Sequence, residues 1–197
     1  MVEVLVVLAI FGIMLAVGIP KMSNWIMATR AGSASEFYLE GFRLARQQAI
    51  SHNAASRIVL SPNVNNGQYD WQVDICFPTV ATPCSATSGA WSATNAIATN
   101  DPEGATGYTS VRRLASSMPP TSVVSPALTP EGTFSIYYTA LGWVDTTFGA
   151  RTTRITLSPG PGYESSLSAT AVVVTLAGMP SKCDPNLAIG DSRACPP

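Results

Sequence analysis

The amino-acid sequence is poor in charge and in histidine. Charged side chains make up 12% of its 197 residues, and the formal net charge is −1. This balance does not favour nucleic acid or an anionic membrane surface as a partner. Catalysis by a Ser/His/Asp or Cys/His arrangement would have to use the single histidine, His52. Because His52 lies beside Asn53 at the predicted end of a helix, a capping or surface role is the better interpretation. We therefore predict no enzymatic activity.

Signals for cofactors and metals are also scarce. The only glycine-rich stretch that resembles a phosphate loop, "SPGPGYE", lacks the lysine and the strand-to-helix context that such a loop needs. Asp184 and Asp191 flank a predicted loop and could hold Ca²⁺. Two carboxylates in a turn-rich loop are more typical of turn and capping residues. We therefore predict no cofactor and no metal.

The four cysteines form two local pairs and contain no C-x-x-C motif. Cys76 lies close to Cys84 in the sequence, and Cys183 lies close to Cys195. Zinc is a poor interpretation, because the one histidine is far from both pairs. Two short-loop disulfides in an oxidising compartment fit better, each contributing roughly 2–3 kcal/mol in the chain-entropy description.

A long apolar run begins almost at the first residue and has one carboxylate, Glu3, in front of it. Every residue from Val4 to Ile19 is apolar or glycine. A carboxylate at the centre of a bilayer costs roughly 2.5–3.5 kcal/mol. The nearest positive side chain, Lys21, would lie about 27 Å away along a helix that rises ~1.5 Å per residue. Glu3 therefore needs a partner from outside its own helix.

Three interpretations of the apolar run compete. A secretory signal has a basic segment before the run and small residues at a cleavage site after it, whereas this run follows Glu3 and ends at Pro20. A buried core helix is rarely apolar on all faces. The run is slightly shorter than the ~20 residues that span a bilayer. We predict that residues 1–24 form a transmembrane or filament-core helix.

Beyond Lys21 the pattern becomes amphipathic. Apolar residues recur at helical spacing from Trp25 to Ile50, while charged residues such as Glu40 and Arg43 take most of the other face. Residues 25–53 therefore continue the helix and pack on a globular domain, with Asn53 as a stop signal. Pro20 is expected to kink or loosen the helix between its two halves.

The remaining residues, 54–197, indicate a β-rich domain. In "QYDWQVDI", tyrosine, tryptophan, valine and isoleucine alternate with aspartate and glutamine, which is typical of a strand. Further strand candidates are "SRIVLS", "GTFSIYYT", "TTRITLS", "TAVVVTLA" and Ala140–Val144. Residues 77–131 look like a long variable surface excursion with at most a short strand at Val111–Leu114. The fold class is therefore α+β, a long helix on an antiparallel sheet of two small layers or one curved one.

The opening segment "VEVLVVLAIFGIMLAVGIP" resembles the N-terminal segment of type IV pilins and type II secretion pseudopilins, with the same Glu3-to-Pro20 spacing. The segment "EGFRLARQQAISHN" is similar to that of FimT/GspH minor pilins, and so is "CDPNLAIGDSRAC" near the C-terminus. The resemblance is good over 1–60 and moderate over 150–197. Because the family's basic leader and aromatic first residue are absent, Met1 is expected to correspond to the third mature residue.

The resemblance implies a pilin-like fold with a protruding apolar half of the helix, and a structural subunit of a type IV pilus or a type II secretion filament. Glu3 would pair with the N-terminal amine of a neighbouring subunit, and Pro20 would belong to the same assembly segment. The partners would be other subunits and, before assembly, inner-membrane lipid. The protein would be located in the bacterial inner membrane with a periplasmic domain, and in the assembled filament.

Alternatives within the resemblance are a major filament-forming pilin, or a tip module for adhesion or DNA uptake. Some FimT-like proteins carry a Gly-Arg-x-Arg motif implicated in DNA binding, but here the positions are Gly178, Met179, Pro180 and Ser181. Two scattered cations that could still contact an anion, Lys182 and Arg193, make a weak phosphate site. The "CDP" and "GDSRAC" resemblance favours the type IV pilus slightly over type II secretion.

Overall fold

The computed structural model describes residues 2–78, 83–86, 90–104 and 110–196. In the helix at the start of the chain, the backbone alone is described at positions 5, 17, 19–21 and 23–25. The predicted role of the Pro20 side chain therefore lies outside what is described. The backbone at that position is helical.

One unbroken helix, α1 (Val2–Ser51), forms the first quarter of the chain. At ~1.5 Å per residue its 50 residues are about 75 Å long. The helix ends where Asn53 takes a left-handed backbone conformation (φ 47°), as the sequence predicts. The amide of Ala54 closes the end by donating to the Ala49 carbonyl at 3.1 Å. His52 lies in this cap, with Nδ1 3.1 Å from the Gln48 carbonyl oxygen.

The second half of α1 packs on the globular domain through an apolar stripe. Tyr38, Phe42, Ala45 and Ala49 recur at helical spacing and are fully buried. Gly41 lets two side chains of the sheet approach the helix, because a Cβ there would lie 2.9 Å from Ile58 Cδ1 and 3.0 Å from the Trp71 ring. The apolar face of the amphipathic helix predicted for 25–53 therefore packs against the core from residue 34 onward.

Two antiparallel sheets lie against this stripe. The strands of the first sheet are β1 (Ala55–Pro62), β2 (Tyr69–Cys76), β3 (Trp91–Ser92), β4 (Val111–Arg113) and β6 (Ser135–Tyr138). Their order is β3-β2-β1-β6, and β4 also pairs with β2. In the register of β1 and β2, Ile58 lies opposite Val73.

The strands of the second sheet are β5 (Val124–Thr129), β7 (Arg154–Pro159), β8 (Thr170–Val174) and β9 (Pro180–Cys183). Their order is β5-β7-β8-β9. Helix α1 contacts β1, β2 and β6 of the first sheet and β8 and β9 of the second. A common core of helix and strand residues joins the two sheets. The predicted α+β class, a long N-terminal helix packed on antiparallel strands, is confirmed.

The predicted loop at 77–131 is wrong in part. Its described residues include β3, a 3-10 turn at Ala115–Ser117 and the six-residue strand β5, and Val123 and Val124 are buried in the core. Pro126 obscured β5 in the sequence, because proline cannot donate to a sheet ladder. The residue is accommodated because β5 is an edge strand. The short strand expected at Val111–Leu114 is present as β4.

The strand expected at Ala140–Val144 is also wrong. These residues form a turn that contributes only an isolated bridge between Tyr138 and Val144. Gly142, with φ of +77°, reverses the chain in a conformation that other residues rarely adopt.

Among the described residues, no helix combines the length and the apolar character needed to cross a membrane. The transmembrane or filament-core role of residues 1–24 stays a prediction.

Candidate assembly surface

The first half of α1 presents a continuous apolar surface. Every described side chain from residue 2 to residue 16 is exposed, and all of them except Glu3 are apolar or belong to glycine. Ten of these residues are large, with exposures of 50–74%: Val2, Val4, Val6, Val7, Leu8, Ile10, Phe11, Ile13, Met14 and Leu15. Because they occupy nearly consecutive positions, they surround the helix on all sides. We call residues 2–16 the apolar segment.

Glu3 lies exposed in the first turn of this segment. A carboxylate there interacts favourably with the positive end of the helix dipole, by about 0.3–1 kcal/mol. This interaction with the helix dipole is present in a single copy of the chain, so it does not by itself explain why the apolar segment carries an acid.

Two ion pairs join the second half of α1 to the two sheets. Glu40 pairs with Arg113 on β4, and Glu36 pairs with Lys182 on β9. The hydrogen bond from Lys182 and its positive charge lower the pKa of the Glu36 carboxyl. Exposed pairs of this kind contribute little to stability. Their position nevertheless gives each sheet its own polar contact with the same helix.

The two cations of the predicted anion contact both have carboxylate partners. Lys182 donates to Glu36, and Arg193 Nε lies 3.4 Å from Asp191 Oδ1. The chain's own carboxylates therefore neutralise part of this positive charge. The contacts do not support a tip module that binds DNA.

Asp184 and Asp191 act as turn residues. The Oδ1 atom of Asp184 accepts from the Asn186 amide at 2.9 Å, and that of Asp191 accepts from the Arg193 amide at 2.8 Å. This is the turn role that the sequence favoured over calcium.

Both predicted disulfides are present. Cys76 is bonded to Cys84 and Cys183 to Cys195, with S–S distances of 2.09 and 2.06 Å. The first bond follows β2 and packs beside the buried ring of Trp91, while the second joins β9 to the loop that follows it.

The sequence did not reveal a buried polar network on the outer face of β2. Asp74 is 1% exposed, and its carboxylate accepts from Arg57 Nε at 2.9 Å, Gln72 Nε2 at 2.6 Å and Ser110 Oγ at 2.9 Å. The alternation in "QYDWQVDI" separates apolar from polar positions, but it cannot show that the polar face is covered as well.

Asp70, four residues earlier on the same face of β2, repeats this arrangement. Its carboxylate accepts from Asn63 Nδ2 at 2.7 Å, from the Ala115 amide at 2.8 Å and from Arg112 at 3.3 Å. Asp70 and Asp74 therefore hold residues 110–115 against the first sheet.

A long N-terminal helix packed on antiparallel sheets is the arrangement expected of a pilin-like subunit. The sequence profile of the family described as type II transport protein GspH matches residues 36–178, and the chain belongs to this family. No significant match was found among curated proteins or among solved structures. The resemblance to GspH-like proteins seen in the sequence is thereby confirmed.

Membership places the chain among the structural pseudopilins of type II secretion, a family not known for enzymatic activity. Such subunits contact other pseudopilins in a filament associated with the inner membrane. The slight preference for the type IV pilus drawn from the C-terminal motifs is not supported, because the family's description names type II transport. The match runs from Glu36 to Gly178, so it covers most of the packed half of α1 and strands β1 to β8. Strand β9 and the apolar segment lie outside it.

Proposed function

We propose that this chain is a structural subunit of a type II secretion pseudopilus and that it assembles through the apolar segment of α1. The observation that carries the proposal is the exposure of ten large apolar side chains in that segment. Full burial of one such side chain contributes about 1.5–3 kcal/mol. Leaving the segment in water is therefore costly, and contact with other apolar helices removes that cost.

Glu3 gives this assembly its register. In a bundle of apolar helices an unpaired carboxylate is costly, whereas a carboxylate that meets the N-terminal amine of a neighbouring subunit is compensated. One position along the helix satisfies this pairing, just as a single polar residue fixes the register of a coiled coil. Apolar packing alone would allow the helices to slide.

The test is to replace Glu3→Ala in the full chain and to measure how much subunit enters sheared, sedimented filaments. We expect incorporation to fall by at least about tenfold, which corresponds to ~1.4 kcal/mol of assembly free energy. The total amount of subunit in the cell should stay unchanged, because Glu3 contributes nothing to the packed core.

A matched control is Glu131→Ala, which removes an exposed carboxylate in a turn far from the apolar segment along the sequence. This variant should enter filaments at the normal level. Normal incorporation of the Glu3→Ala subunit would defeat the register role.

A further inference from the structure

A second uncovered apolar surface lies at the other end of α1. Five large side chains there are 46–73% exposed. They are Ile50, Leu141, Trp143, Leu176 and Met179, and we call them the end patch. We propose that the end patch receives the apolar segment of α1 from a second copy of this chain. The inference rests on the proposed function and names one partner surface for it.

Two packed turns hold the end patch in place. The turn that contains Gly142 lies on the last turns of α1, where a Cβ at position 142 would be 2.7 Å from Ile50 Cδ1. Arg46 Nε donates to the Gly142 carbonyl at 3.2 Å. Leu141 and Trp143 therefore project from a backbone that is fixed on the helix.

The second turn is fixed on the first. A Cβ at Gly178 would lie 1.9 Å from the Gly142 carbonyl oxygen, so the two backbones are in direct contact. The Val144 amide also donates to the Leu176 carbonyl at 3.0 Å. The apolar side chains of both turns consequently form one surface with Ile50, and their exposure does not come from a loose loop.

A cavity of about 430 Å³ adjoins the end patch between α1 and the start of β9. Ile50, Met179 and Pro180 line it together with Arg43 and Arg46. Its volume is sufficient for apolar side chains of an approaching helix, and the arginine stems can cover such side chains while their charged ends stay in water.

The length of α1 rules out the chain's own apolar segment as the occupant. Residues 16 and 50 are about 50 Å apart along one continuous helix, at ~1.5 Å per residue, so a chain cannot fold its own apolar segment onto its end patch. A contact between two different surfaces at opposite ends of a subunit can be repeated without closing, which is the symmetry of a filament.

Charge favours the apolar segment over a second end patch. The only charged side chain between positions 2 and 16 is that of Glu3, so the side chains of the segment bring no cation to Arg43 and Arg46. Two end patches in symmetric contact would instead place the arginines of both copies near one another, which is unfavourable.

The test uses the full chain in cells that assemble the filament, with the photo-crosslinking residue p-benzoylphenylalanine in place of Trp143. We expect a light-dependent dimer in which position 143 is joined to the tryptic peptide that ends at Lys21 of the second copy. The same residue at Val64, which is 96% exposed and outside the end patch, serves as the control and should give no such product. A link to the globular part of another copy, to a different protein or to lipid would overturn the proposal, as would no link at all.

A pair of double variants separates this inference from the proposed function. Trp143→Ser with Leu176→Ser should lower filament incorporation by about tenfold. Val64→Ser with Ile189→Ser should leave it unchanged, and the thermal midpoints of both should match the parent. If the patch variant is incorporated normally while Glu3→Ala is not, the end patch fails and the proposed function stands. If both are incorporated normally, the end patch and the register role of Glu3 both fail.

Discussion

At the scale of single residues, Tyr138 carries a buried hydroxyl with no hydrogen-bond partner among the residues that the structure describes. Burial raises the pKa of this phenol well above its ordinary value of 10.0, and the nearby positive charge of Arg46 opposes the shift only in part. The folded state therefore favours the neutral phenol. The contribution of this raised pKa to the free energy of unfolding is complete below about pH 10. It is lost as the pH rises above that value, because the phenol then ionises in the unfolded chain.

We therefore expect Tyr138→Phe to preserve or raise the free energy of unfolding at neutral pH, by up to ~1 kcal/mol, because an unpaired polar group is removed. The variant should also lose less stability above about pH 10 than the parent does. Urea unfolding at neutral and alkaline pH measures both effects.

Tyr38→Phe is the matched comparison. The Tyr38 hydroxyl accepts from the Tyr69 amide at 3.0 Å and lies 3.3 Å from Gln68 Oε1, to which it donates. Its removal leaves these groups unpaired, so we expect a loss of about 1–3 kcal/mol at neutral pH. Equal effects of the two substitutions would contradict this distinction.

Asp74 occupies a polar position of the strand pattern, but its side chain is buried. We expect Asp74→Ala to destabilise the fold by about 3 kcal/mol, since Arg57 and Ser110 lose a buried acceptor. Trypsin should also cleave faster after Arg112 and Arg113, because the segment that contains them is held partly through Asp74. Glu131→Ala removes an exposed carboxylate and should change the unfolding free energy by less than about 0.5 kcal/mol. Similar unfolding curves for both variants would refute the role assigned to Asp74.

At the scale of elements, the packed half of α1 and most strands could be predicted because each has one dominant periodicity. Strands β1, β2, β6, β7 and β8 all lie within segments that the sequence indicated or extend beyond them by at most one residue at either end. Strand β5 contains a proline, and β9 has two exposed polar residues between buried ends, so neither shows an alternating pattern. Pairing with β7 and β8 determines these two strands, and that is information from distant parts of the chain.

Two glycines of α1 test how tightly the helix packs on the first sheet. Gly41→Ala puts a Cβ against Ile58 and Trp71 and should cost about 1–3 kcal/mol, less a gain of up to ~1 kcal/mol in helix propensity. At Gly32, a Cβ meets nothing within 4 Å, so Gly32→Ala should stabilise by up to ~1 kcal/mol. Thermal unfolding of the two variants should shift in opposite directions. Stabilisation by both would mean that the helix and sheet can separate without cost.

At the scale of the whole molecule, the sequence indicated the apolar segment and Glu3, because an unbroken apolar run needs no knowledge of the fold. The end patch was not visible in the same way. Its five side chains come from three distant parts of the chain, so no single sequence periodicity links them. Only the contact of two turns through Gly142 and Gly178 brings them together.

The disulfide between Cys183 and Cys195 alters how the protein responds to mechanical load. Cys183 is the last residue of β9, which is the edge strand of the second sheet, and it lies opposite Ala171 on β8. Tension applied beyond Cys195 passes through the covalent bridge into β9 and bypasses residues 184–194. The intervening loop can therefore change shape or be cut without transmitting the pull, while the β8–β9 ladder carries it.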